Sequence, residues 1–371
     1  MRGPAVHPIV IAAGGTGGHL FPAEALAAEL IGRGRRIALM TDARSAAADS
    51  PVFAGHERFV LRGAGIAGRR PVRAAGAAVA IAAGIAQARR ILGRIEPAAM
   101  VAFGGYPSIA PVLAARLLRN RPPVILHEQN AVLGRANRFL ARRATRLALS
   151  FAETGRVPRG IAIEVVGNPV RPAISTLRES PYAVPKDRVR LLVLGGSLGA
   201  RVLSDVVPVA IASLPAELCA RLSVVQQCRP EDRQRVATLY EAIGIDAELS
   251  AFFPDVARRL GCAHLVIARA GASTVAELAV AGRPAILVPL PGAIDDHQTA
   301  NARALVAAGG AWMIAQRDFT PDALRDRIAS LFADPAALIG AAAAARGMAR
   351  GDAAARLADL VESLVPQEIR R

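Results

Sequence analysis

The sequence predicts an α/β protein built from two doubly wound, parallel-sheet domains. Three observations predict it: short β-rich runs alternate with helical patterns, the alternation restarts halfway along the chain, and glycine-rich turns follow several of the strands. At 371 residues, with 53% hydrophobic and 20% charged residues, the chain can bury two ordinary cores and is too apolar to be disordered.

The first-half strands are expected at residues 8–13, 36–41, 100–103, 124–127 and 147–150. The pattern restarts at 189–194 and continues at 222–226, 264–267 and 285–288. Between the halves, Gly167-Asn168-Pro169-Val170-Arg171-Pro172 and a polar stretch with Pro181 and Pro185 carry the punctuation of a hinge. Domains are therefore expected at 1–170 and 171–349. Residues 322–365 read as Ala/Leu-rich helices, and the last helix, about 350–371, is expected to pack back on the first domain.

Composition narrows the function classes. Cys219, Cys228 and Cys262 are an odd set without a C-x-x-C pair, which disfavours a disulfide framework or zinc cluster and suits a reducing cytoplasm. No export signal opens the chain, and the longest weakly polar stretch, residues 74–88, falls short of the roughly 20 apolar residues of a spanning helix. The net charge of +16 is uneven: residues 1–170 carry 23 arginines against 9 acids, the remainder 23 basic residues against 21 acids. A positive first domain suits nucleic acid, anionic lipid or a phosphorylated substrate. With aromatics at 4% and no recognition-helix or base-stacking motif, a nucleic-acid partner is not expected.

Gly14-Gly15-Thr16-Gly17-Gly18-His19 follows the first strand and precedes a helix expected over 22–31, with Pro22 in its first turn. A phosphate-sized anion would meet free backbone N–H groups and a helix dipole there. The G-x-G-x-x-G dinucleotide pattern fails at Leu20, although Asp42 follows the next strand where a ribose-binding acid would sit, and no lysine follows any glycine loop. Gly195-Gly196-Ser197-Leu198-Gly199-Ala200 repeats the arrangement in the second half, and Gly104-Gly105-Tyr106-Pro107-Ser108 makes a third turn. Each alone is equally well a tight turn needing glycine. Together, at strand C-terminal ends, they would surround one interdomain cleft.

The candidates for chemistry lie beside these loops. His19, at a helix N-terminus that disfavours its protonated form, could take a proton from a hydroxyl, or simply be a structural hydrogen-bonder. His127-Glu128-Gln129-Asn130 ends a strand, where four polar side chains in a row make a poor core; a loop or helix cap is the plain alternative. Arg269-Ala270-Gly271-Ala272-Ser273-Thr274-Val275-Ala276-Glu277 reads as a loop into a helix open to a flat ligand, with Glu277 able to hold vicinal hydroxyls, or as a capping box. Asp295-Asp296-His297-Gln298 lacks convincing metal-ligand spacing and better suits hydrogen bonds to a sugar.

Taken together and in order, these motifs resemble the MurG family of N-acetylglucosamine transferases, over nearly the whole chain: GGTGGHLFPA from Gly14, GGYPS from Gly104, HEQNAVLGRAN from His127, VGNPVR from Val166, GGSLGA from Gly195, and RAGASTVAEL with DDHQTANA from Arg269 to Ala302. The resemblance implies a GT-B fold, two Rossmann-like domains facing an interdomain cleft, and inverting transfer of N-acetylglucosamine from UDP-N-acetylglucosamine to the 4-hydroxyl of the muramyl sugar of undecaprenyl-pyrophosphoryl-MurNAc-pentapeptide, lipid I. It implies an acceptor-binding, membrane-associating first domain and a UDP-sugar-binding second one. His19 would be the base, with Thr16, Gly17, Gly18, Tyr106, Glu128 and Asn130 on the acceptor side. Thr16, Gly17, Gly18 and Asn130 would also border the donor, with Arg171 and Phe253 at the nucleotide, Ser197 at the phosphates and Glu277 at the ribose. Ala272, Ser273 and Thr274 would approach the diphosphate and sugar, and His297 and Gln298 the sugar hydroxyls.

No cofactor or metal is implied, since no D-x-D motif is present and loop N–H groups would meet the leaving diphosphate. The implied location is the cytoplasmic face of the cell membrane, peripherally, on an anionic surface, among other cell-wall synthesis and division proteins. The segment around 71–92, with Val79, Ile81, Ile85, Ile91 and Leu92 flanked by arginines, would touch the lipid. Leu198 and His297 depart from the glutamines common at those positions. A UDP-sugar epimerase of the same architecture is the enzymatic alternative.

Overall fold

The computed structural model describes residues 7–14, 17–43, 50–62, 71–196 and 199–366, the side chains of 71–78 excepted. Two compact units divide the chain. The first takes residues 1–171 together with 350–371, the second residues 172–349.

The first unit is a seven-stranded, all-parallel sheet in the order β3-β2-β1-β4-β5-β6-β7, formed by Ile9–Ala12 (β1), Ile37–Asp42 (β2), Glu57–Leu61 (β3), Ala99–Ala102 (β4), Val124–Glu128 (β5), Arg146–Leu149 (β6) and Ile163–Val165 (β7). The second is a six-stranded parallel sheet, β10-β9-β8-β11-β12-β13, from Val189–Leu194 (β8), Leu222–Gln227 (β9), Asp246–Ser250 (β10), Leu265–Ala268 (β11), Ala285–Leu287 (β12) and Ala311–Met313 (β13). Each order reverses once, between β1 and β4 and between β8 and β11, and the carboxyl ends of such neighbouring strands are where open α/β sheets bind ligands. This is the two-domain, doubly wound architecture expected.

Four of these strands, β3, β7, β10 and β13, were not expected. They are the four sheet edges. β1, β2, β4, β5, β11 and β12 are buried on both faces and are mostly apolar, whereas β3, β7 and β10 are largely exposed and carry Glu57, Arg58, Glu164, Asp246 and Glu248.

Period-two alternation sorts the first sheet's side chains. Ile9 and Ile11 point to one face with Leu26 and Leu30 of the Gly17–Gly32 helix, and Val10 and Ala12 to the other with Leu92, Leu126 and Leu140. The first of these cores is completed by Leu357, Leu360 and Val361 of the Ala353–Leu364 helix. Arg33 ties that helix down through Asp359 (2.6 Å) and Glu362 (2.8 Å), and Arg35 adds a second contact to Glu362 (2.7 Å).

Two expectations are corrected here. The first helix begins at Gly17, five residues before Pro22, which sits inside it. Pro22 lacks the N–H that would reach Gly18, but Gly18 is exposed, so its carbonyl remains hydrated and the cost is small. The proposed lipid-facing segment is one helix, Pro71–Ile95, but Leu92 is buried and Ile85 and Ile91 pack against the core, which among its described side chains leaves Val79, 70% exposed, as the exposed large apolar residue. Residues 85, 88 and 92 recur at helical spacing as a core-facing stripe. Among the described residues no single helix is long and apolar enough to cross a membrane.

Candidate active site

In the first unit the site grows from the loops after β1, β4 and β5. Gly17 and Gly18 open the helix that carries His19 in its first turn, while Thr16 lies outside the described residues. His19 Nδ1 lies 3.1 Å from Gln129 Oε1, and a side chain at Gly105 would sit 3.5 Å from its Nε2. After β4, Gly104 (φ +82°) passes the Asn137 side chain so closely that a Cβ there would lie 3.1 Å from the amide nitrogen. Ser108, fully buried, closes this turn by donating to the Gly104 carbonyl (2.7 Å). Tyr106 donates its hydroxyl to Asp42, so the acid weighed as a ribose ligand is engaged with this loop.

The polar run that ends β5 lies inside the protein. His127, Glu128 and Gln129 are 0%, 2% and 1% exposed, against the expectation that they make a poor core. They are tolerated because each is satisfied by its neighbours. Glu128 accepts from the Asn130 backbone N–H (3.1 Å) and side-chain amide (3.0 Å) through one oxygen, and from Gly134 N–H (2.9 Å) and Asn137 (2.9 Å) through the other. It ties Asn130, Gly134 and Asn137 to the end of β5. Gln129 donates to the Phe103 carbonyl (3.1 Å), and His127 Nε2 meets the Gly167 carbonyl (3.0 Å) while its ring packs against Phe103. Burial lowers the His127 pKa to about 4, so its ring is neutral at pH 7. Gln129, His127, Asn137 and Gly167 were not singled out individually from sequence; the signal available was their place in the HEQNAVLGRAN and VGNPVR motifs. Asn168, beside Gly167, is buried with neither end of its side chain paired. Arg171 stacks on Phe21, 4.6 Å from the ring centre.

In the second unit the equivalent loops follow β8 and β11. Gln227 accepts from Gly195 N–H (3.1 Å) and donates to the Gly196 and Ala251 carbonyls, fixing the entry to the glycine loop, of which Ser197 and Leu198 lie outside the described residues. Buried Arg269 cross-ties the sheet by donating to the Val288 and Pro289 carbonyls (3.1 Å each) and to Gln316 (2.7 Å). Asn301 holds the Ala270 carbonyl at 3.1 Å. The capping-box alternative is not realised, because Gly271 is the N-cap of the Ala272–Ala281 helix and makes no side-chain cap. Ser273 therefore sits within the first turn, its buried hydroxyl without a partner, near Thr274 and one turn before buried Glu277.

Gln298 accepts from Leu290 N–H (3.0 Å), and His297 Nδ1 donates to the Ile294 carbonyl (2.8 Å), so both shape the 290–298 loop. Phe253 is 3% exposed beneath Arg259, 4.1 Å from its ring centre; the aromatic at the surface is its neighbour Phe252, 63% exposed. Among the described residues no group of three or more His, Cys, Asp or Glu is placed to hold a metal ion.

Each unit thus presents a glycine loop and a helix N-terminus at its sheet's reversal point, with a candidate proton acceptor in the first and a buried carboxylate in the second. Residues 9–149 match the glycosyltransferase family 28 N-terminal domain and residues 190–360 its C-terminal domain. The chain belongs to glycosyltransferase family 28. It is 62% identical, over 97% of its own length and 94% of the relative's, to the UDP-N-acetylglucosamine–N-acetylmuramyl-(pentapeptide) pyrophosphoryl-undecaprenol N-acetylglucosamine transferase of Granulibacter bethesdensis. The protein of the same name from Acidiphilium cryptum is 53% identical and matches end to end. Among solved structures, Acinetobacter baumannii MurG superimposes with a TM-score of 0.75 at 31% identity, over 96% of this chain and 99% of that one. A Listeria monocytogenes protein described as a UDP-N-acetylglucosamine 2-epimerase superimposes at 0.66 with 15% identity, a likeness of fold alone. The MurG resemblance and the glycosyltransferase class expected from the motifs are borne out.

Proposed function

We propose that the protein transfers N-acetylglucosamine from UDP-N-acetylglucosamine to the muramyl 4-hydroxyl of undecaprenyl-pyrophosphoryl-MurNAc-pentapeptide, with inversion at the anomeric carbon. The observation that carries this reading is the full-length identity to relatives named for that transfer. In the first unit His19, with Nε2 beside Gly105, removes the acceptor hydroxyl proton as it attacks. Thr16, Gly17, Gly18 and Tyr106 frame the acceptor, while Glu128 acts through the loop that presents Asn130.

In the second unit the glycine loop with Ser197 and the N-terminus of the Ala272–Ala281 helix receive the diphosphate and stabilise its growing negative charge as UDP departs. Ser273 supplies an unpaired buried hydroxyl for that ligand, Glu277 holds the ribose, and His297 and Gln298 meet the sugar. Arg171 and the Phe252–Phe253 turn border the nucleotide. The protein works peripherally on the cytoplasmic face of an anionic membrane, with the basic first unit toward the lipid.

Mass spectrometry of a reaction holding UDP-N-acetylglucosamine and a short-chain lipid I analogue tests this. A product heavier by one N-acetylhexosamine, with a β linkage by NMR, supports it. Interconversion of the free UDP-sugar without a disaccharide product supports the epimerase alternative instead.

A further inference from the structure

Backbone carbonyls at two places dictate the direction of every hydrogen bond in the chain from Gly167 to His19. Gln129 Nε2 lies 3.1 Å from the Phe103 carbonyl and 3.3 Å from the His127 carbonyl, so that end of the amide is its NH2 group and the other end its oxygen. His127 Nε2 lies 3.0 Å from the Gly167 carbonyl and must carry the hydrogen. A neutral imidazole holds one N–H, so His127 Nδ1 is bare and accepts from Gln129 Nε2 at 3.0 Å. Gln129 Oε1 then faces His19 Nδ1 at 3.1 Å and can only accept.

We infer that Gln129, itself oriented by His127, Phe103 and Gly167, is a positioning residue that holds the His19 imidazole with its N–H at Nδ1 and so leaves Nε2 to act as the base. The inference rests on the transferase reading for what the base does, whereas the tautomer rests on the hydrogen-bond geometry together with the burial that keeps His127 neutral. An imidazole without such an acceptor divides between two tautomers, and in one of them Nε2 is protonated and cannot accept a proton. The three motifs involved, GGTGGH, HEQN and VGNP, are far apart in sequence, and this chain of contacts joins them. Their burial, with Gln129 at 1% and His127 at 0% exposed, shields it from competing water.

The test is 15N NMR of histidine-labelled full-length protein, read with steady-state kinetics on UDP-N-acetylglucosamine and the lipid I analogue. In the unaltered protein His19, assigned by its loss in His19→Gln, shows the Nδ1–H signature. Gln129→Met keeps the side chain's length but removes both amide functions; it mixes the His19 tautomers and lowers kcat roughly 2–10-fold, with little change in KM for the UDP-sugar. Gln129→Glu keeps an oxygen toward His19 Nδ1 and with it the Nδ1–H signature, at the loss of donation to the Phe103 and His127 carbonyls; it serves also if the methionine variant does not fold. His127→Phe, which leaves Gln129 its two carbonyls, perturbs His19 less than Gln129→Met. An unchanged signature in Gln129→Met, or a mixed signature with undiminished kcat, overturns the inference. Failure of the unaltered protein to use the acceptor removes the transferase reading, while the NMR arm still decides the tautomer.

Discussion

Replacing Gly167 by alanine disturbs two things at once, and the structure allows them to be separated. Gly167 adopts φ +92°, a conformation that costs an L-residue roughly 1–2 kcal/mol. A Cβ there would also lie 2.7 Å from Arg350 Cβ and 3.1 Å from Ala353 Cβ, at the start of the helix that completes the first unit. Both neighbours are at the backbone end of their side chains and cannot swing away, so overpacking adds about 1–3 kcal/mol. Gly34 is the control: it lies in the same unit, has φ +74°, and a Cβ there would meet nothing within 4 Å. Gly34→Ala should therefore lose about 1–2 kcal/mol and Gly167→Ala about 2–5 kcal/mol in urea unfolding of the first unit. Equal losses in the two variants would refute the claim that the turn at Gly167 is fitted against the last helix.

Three further outcomes follow from the same geometry. Leu357→Ala, which truncates a fully buried side chain, should lower the stability of the first unit by about 2–4 kcal/mol, although residue 357 follows the second unit in the chain; calorimetry resolving two transitions should show the lower one move. Glu128→Gln puts an NH2 group against one of two pairs of donors, so it should cost roughly 1–3 kcal/mol and lower kcat without altering UDP-sugar KM, as read by unfolding and initial rates. Burial keeps His127 neutral by lowering its pKa from 6.5 to about 4, so its contribution is intact above pH 6.5 and is lost as pH falls toward 4, where the unfolded chain takes up a proton that the folded one refuses. On the order of 3 kcal/mol is involved, and His127→Gln should flatten the decline in urea midpoint between pH 7 and 4.5.

The inner strands were legible because their buried faces make them mostly apolar runs, and the glycine loops because they recur at strand ends. The edge strands were not, since an edge is half solvated and Glu57 or Asp246 costs nothing there. The site divided along a similar line. His19 and Glu277 announced themselves by position, but the meaning of the HEQN run depended on long-range partners. Its polarity looked like a surface loop until Gly167, Phe103 and Asn137, brought in from other elements, satisfied it. Leu92 misled for the converse reason: an apolar residue near arginines reads as lipid-facing, while its i−4 and i−7 neighbours, Ala88 and Ile85, place it on the helix face that packs against β4 and β5 side chains.

The most direct test of the central claim is UDP release from UDP-N-acetylglucosamine with and without the lipid I analogue, in the unaltered protein, His19→Ala and Glu277→Ala. Release that requires the acceptor, with His19→Ala losing kcat and Glu277→Ala weakening UDP-sugar use, is the predicted result. Release indifferent to the acceptor, or full activity in both variants, would contradict the account.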